Sequence, residues 1–88
     1  MMDNEIFLNE RIEVVATFGD GLELCVPQKF RRANGQVVTV SEVGLRHPTQ
    51  AGRRTLHVFE ITDGQTEYRL EFNTERATWH LTREALYE

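Results

Sequence analysis

Arg11-Ile12-Glu13-Val14-Val15-Ala16-Thr17-Phe18, the loop Gly19-Asp20-Gly21, and then Leu22-Glu23-Leu24-Cys25-Val26 form the stretch that decides the fold. In an extended chain, Ile12, Val14, Ala16 and Phe18 share one face, and Leu22, Leu24 and Val26 share another. Two such runs around a Gly-ended loop specify an antiparallel hairpin. Parity selects the loop length. A three-residue loop sets Phe18 opposite Leu22, Ala16 opposite Leu24 and Val14 opposite Val26. A two-residue Asp20-Gly21 turn sets Phe18 against Glu23. Only the first keeps apolar residues together, and its last position favours a left-handed glycine.

The same pattern recurs twice. A three-residue loop at Ala33-Asn34-Gly35 puts Phe30 opposite Val38 and starts a third strand running from about Gln36 to Val43. Pro27 has no N–H to give a ladder, so a break or bulge is expected there. Thr62-Asp63-Gly64 separates a strand at Thr55–Thr62 from one at Thr66–Asn73, where Tyr68, Leu70 and Phe72 share a face. Here two registers compete. A two-residue turn pairs Phe59 with Tyr68 and sets Glu60 against Glu67. A three-residue loop pairs Val58 with Tyr68 and places Thr66 opposite Glu60. Avoiding the carboxylate pair favours the second.

A four-residue loop at Thr74–Ala77 brings Phe72 opposite Trp79, Leu70 opposite Leu81 and His80 opposite Glu71. Thr82 then reads as the N-cap of a helical turn over Arg83–Tyr87. Residues 47–54 lack periodicity and read as an exposed loop. The expected fold is all-β: a six-stranded antiparallel meander, strongly bent or barrel-like, with a short C-terminal helical turn. A single domain spans 1–88, with unassigned structure in 1–10, the sheet in 11–82 and the turn in 83–88.

With 88 residues the core is thin, and the one cysteine, Cys25, leaves no disulfide within the monomer. That usage fits a reducing compartment. The acidic start Met1-Met2-Asp3-Asn4-Glu5 is unlike a secretory signal and no stretch is apolar enough for a membrane helix, so a cytoplasmic location without a membrane partner is expected. The net charge of −4 is unevenly spread. Residues 1–26 hold six acids and one base, residues 27–57 hold six bases and one acid, and residues 58–88 hold seven acids and three bases. A basic middle lies between acidic ends.

Pro27-Gln28-Lys29-Phe30, Gly35, Val38-Thr39-Val40, Thr62-Asp63-Gly64, Tyr68-Arg69-Leu70-Glu71 and Trp79-His80-Leu81 together resemble a small bacterial all-β family of unknown function. The resemblance runs over roughly residues 11–82 and rests on strand and turn pattern. Arg32 stands where that family's pattern has an aromatic residue after Phe. The resemblance implies an all-β fold and a loose association with DNA-repair polymerase components. It implies no functional residues.

Chemistry-bearing motifs are scarce. There is no G-x-S-x-G, phosphate-cradling glycine loop or H-E-x-x-H, and His47, His57, His80 and Cys25 lack metal-ligand spacing. No enzyme activity, cofactor or metal is expected. Trp79, Tyr68 and Phe72 share parity with Leu70 and Leu81, which reads as core rather than as a stacking platform.

Two binding surfaces remain. Leu56 and Val58 lie on one face of their strand and Phe59 and Ile61 on the other. A strand apolar on both faces is covered on both, by the fold itself, by self-association or by an unknown protein partner. This favours a non-enzymatic protein-interaction or accessory module, using that strand or a sheet edge. The alternative is a small barrel binding nucleic acid through Lys29, Arg31, Arg32, Arg46, Arg53 and Arg54. Against it, a straight third strand places Arg31 and Arg32 roughly 30 Å from the other three arginines. Solvated charge that keeps turns and edges soluble explains the same residues.

Overall fold

In the computed structural model, which describes residues 4–19 and 21–86, the first strand is too long to be straight. Strand β1 (Glu5–Gly19) has 15 residues. At about 3.3 Å per residue it would run roughly 46 Å, beyond the longest molecular extent of 37 Å. It bends, and its two halves serve different neighbours. Glu5–Ile12 pairs with β7 (Thr78–Leu86), and Glu13–Gly19 pairs with β2 (Gly21–Arg31).

The remaining strands are β3 (Val37–Thr39), β4 (Glu42–Ala51), β5 (Arg54–Thr62) and β6 (Thr66–Asn73). All seven form one antiparallel sheet in the order β3-β2-β1-β7-β6-β5-β4, curled into a half-barrel. Its edge strands, β3 and β4, are consecutive in the chain. At the link, Val40 N–H donates to the Gln28 carbonyl (2.9 Å) and Ser41 N–H to the Thr62 carbonyl (2.8 Å). The two sheet edges therefore diverge from one point.

The concave face holds the core. Phe59, Leu70 and Leu81 form one cross-strand row, and Phe72, Trp79 and Ile12 form another. Phe30 meets Tyr68 edge-on at 5.2 Å, and Phe72 lies 4.7 Å from Trp79. All of these side chains are buried, so the aromatic cluster is core.

Several expectations hold. Phe30 pairs with Val38 across a turn in which Gly35 has φ +94°, and Phe72 pairs with Trp79 and Leu70 with Leu81. Pro27 sits at an irregularity: it pairs with Ala16, Lys29 pairs with Val15, and Gln28 is the extra residue.

Others are corrected. The first hairpin closes at Gly19↔Gly21, but Val14 pairs with Phe30 and Ala16 with Pro27, because β2 takes up extra residues at two bulges. A bulge inverts side-chain facing. Cys25 and Pro27 consequently point into the core and Val26 points out. Asp20 lies outside the described residues.

The turn after β5 sits later than either expected register. Thr62 pairs with Glu67, Ile61 with Tyr68 and Phe59 with Leu70. The Asp63 carboxylate accepts from the N–H groups of Gln65 and Thr66, both at 2.9 Å, and Gly64 adopts φ +101°. This register sets Glu60 beside Arg69, with Nε–Oε2 at 2.7 Å, rather than beside Glu67. Glu60 thus faces Arg69, where the favoured register places Thr66.

Seven strands replace six because residues 42–51 form β4 instead of an extended third strand and a loop at 47–54. Pro48 fits because an edge strand can spare one donor. No helical turn forms at 83–86; β7 continues to Leu86. Residues 5–10 are part of β1 and supply the edge, pairing Glu5 with Ala85, Ile6 with Glu84 and Phe7 with Arg83. Ladder bonds on both sides outweigh a single helical turn too short to hold itself. Tyr87 and Glu88 lie outside the described residues.

Leu70 is fully buried between Phe59 and Leu81. Leu70→Ala is expected to cost about 2–5 kcal/mol in urea unfolding. Phe7→Ala, at a position 68 % exposed, should stay within about 0.5 kcal/mol.

Candidate functional site: the β4–β5 hairpin and its seam

The apolar set and half of the basic set meet on one hairpin. β5 carries Leu56, Val58, Phe59 and Ile61, while Arg46, Arg53 and Arg54 lie on β4, at the tip and at the start of β5. Phe59 and Ile61 are buried in the core. Val58 is buried on the convex face, between His47 and Glu71 in the register, and Leu56 is half-buried. The strand's two apolar faces are largely covered within the monomer, so apolar surface open to a partner lies elsewhere.

The basic residues separate into distinct groups. Arg32 turns inward at the end of the half-barrel, where it bonds Glu10 at 2.7 Å and Glu84 at 3.1 Å. Glu10 also accepts from the Ala33 N–H at 2.8 Å. Arg31 is ion-paired with Glu13. Lys29 and Arg53 are exposed and make no ion pair among the described residues. The Arg54 side chain lies outside the described residues. Arg31 and Arg32 flank the β2–β3 turn, at the opposite end of the strands from Arg53.

Ladder pairing between β5 and β6 begins at Leu56. Residues before it have ladder partners only in β4, though the Thr55 carbonyl also accepts from the Thr74 hydroxyl at 3.2 Å, so the hairpin tip around Gly52 extends beyond the β5–β6 ladder. From Leu45 to Val58 the sequence has three arginines, two histidines and no acid. Beneath this arm is a hollow of about 260 Å³ lined by Arg46, His47, Pro48, His57 and Phe59. Phe18, half-exposed, lies 6.5 Å from Phe72, the ladder partner of His57.

Next to the hollow is a seam. β2 pairs with β1 and β3, β4 pairs with β5, and no ladder joins β2 to β4 among the described residues. Arg46 spans the gap: Nη1 donates to the Cys25 carbonyl at 2.9 Å, and its guanidinium carbon lies 5.8 Å from the centre of the Phe59 ring. Burial pushes the Cys25 thiol up, with Arg46 offsetting only part of the effect. The sulfur is held as a thiol, the less nucleophilic form.

A larger trough, about 490 Å³, crosses the convex face. Its charges serve one another: Arg69 pairs with Glu60, and Arg83 with Glu5, Glu60 and Glu67. No trio of His, Cys, Asp or Glu among the described residues could hold a metal, and no helix is long and apolar enough to cross a membrane.

No protein-family model, curated protein or solved structure matches the chain. The seam and edge strand β4 were hidden from sequence reasoning because residues 47–54 have no periodicity to reveal a strand. Their one legible signal was the unbroken run of bases without acids.

The Arg32 guanidinium and the Ala33 N–H hold the Glu10 carboxyl below its ordinary value of 4.5. A lowered folded-state value stabilises fully above the unfolded value and is lost as pH falls through the folded one. The stability gap between wild type and Glu10→Gln should therefore be flat above about pH 4.5 and shrink below it, in denaturant titrations across pH.

Proposed function

We propose that the protein is a non-enzymatic interaction module that engages a protein partner through the β4–β5 hairpin, in a reducing cytoplasm. The observation that carries this reading is β4 itself. It is a ten-residue strand at the edge of the sheet with a single ladder partner, β5. Strand edges are recognition surfaces for extended segments, and natural proteins otherwise blunt them. The basic arm at its end selects for acidic partners and speeds their encounter.

A second reading takes the same arm to nucleic acid, favoured by its run of bases and by half-exposed Phe18 beside Phe72. It loses two of its six bases, because Arg31 and Arg32 are already paired with glutamates. Phosphates only accept hydrogen bonds, whereas a strand edge offers alternating donors and acceptors that suit a peptide.

The test compares wild type with Arg53→Glu/Arg54→Glu, captured from extract of the source cells. The expected result is a stoichiometric protein recovered by wild type and lost from the double variant. Equal recovery by both would overturn the hairpin as the contact. Labelled single-stranded DNA that binds the protein, with affinity falling as salt rises, would favour the second reading.

A further inference from the structure

Resting on the hairpin as the interaction surface, we propose that the seam between β2 and β4 accepts an extended acidic segment of a partner protein as an added strand. Several features converge there. Gly21–Pro27 of β2 has a ladder partner only in β1, and β4 has one only in β5, so no ladder joins their facing sides among the described residues; the Cys25 carbonyl on that side accepts from Arg46, a bond that an added strand replaces. The two edges start from the common link at Val40-Ser41 and separate.

Arg46 spans the gap from the concave side: its Nη1 bonds the Cys25 carbonyl at 2.9 Å while its guanidinium carbon lies 5.8 Å from the centre of the Phe59 ring.

The banks suit an alternating sequence. Val26 on β2 and Leu45 on β4 are exposed on the convex face, one on each side. Arg46 and His57 approach from the concave side. A strand with apolar residues outward and carboxylates inward matches both. Pro48 removes one donor from β4, which confines pairing to the Glu42–His47 part of the strand. The carboxylate preference follows from the acid-free run Leu45–Val58.

The test uses the full isotopically labelled chain and an eight-residue fluorescent peptide alternating Glu and Val. Two controls accompany it: a Lys–Val counterpart, and the Glu–Val peptide N-methylated at every second residue. N-methylation removes backbone donors but keeps every charge. Binding of the Glu–Val peptide is expected, with each control at least about tenfold weaker. Amide exchange should slow at Gly44–His47 and at Cys25–Val26. Undiminished binding of the N-methylated peptide would overturn strand addition while leaving the hairpin as a charged contact surface. Equal binding of the Lys–Val peptide would overturn the acidic preference. Protection elsewhere, no binding up to about 1 mM, or the same protection from self-association without peptide would each overturn the proposal.

Discussion

The bend of β1 is the constraint on which the rest of the structure depends. One strand joins two sheet halves, pairing with β7 up to Ile12 and with β2 from Glu13 onward. Folding those halves towards each other lets Phe30 on β2 meet Tyr68 on β6. Without it, a thin single sheet would leave one face of these aromatics in water. A chain of 88 residues has little apolar surface to spare. Curling is how it makes a two-sided core from one sheet.

Curling also decides the fate of the charges. The basic middle of the chain is not one patch. Arg32 closes one end of the half-barrel against Glu10 and Glu84, and Arg46 reaches across the seam to the Cys25 carbonyl. Buried or half-buried guanidinium groups of this kind specify geometry through directional bonds more than they add net stability. On the convex face, Glu60, Arg69, Arg83 and Glu5 link four strands in the same way. Arg53, at the tip between β4 and β5, stays exposed.

The functional reading follows from what the half-barrel leaves unpaired. β3 and β4 are sequence neighbours, yet each bonds to a different side of the sheet. Closing the ring would need β2 and β4 to pair, and the chain separates them after Ser41. The open seam has an exposed apolar residue on each bank, Val26 and Leu45, with Arg46 behind it. Val58, Phe59 and Ile61 are buried and fix β5, and hence the hairpin.

The sequence by itself determined the all-β class, the aromatic core and two of the pairings most important to it, Phe30 with Val38 and Phe72 with Trp79. These were legible because alternation and short Gly- or Asn-containing turns are local, and parity converts them into register. Where bulges intervened, parity failed: Cys25 was set opposite the apolar face and is buried, and Val14 pairs with Phe30 instead of Val26. The fate of residues 83–86 and 42–51 was decided only in three dimensions. The first depended on an edge supplied by residues 5–10 at the far end of the chain, and the second formed a strand without any alternation to announce it. The seam belongs wholly to the tertiary structure, since it exists only where two strands distant in the sheet are brought close and left unpaired.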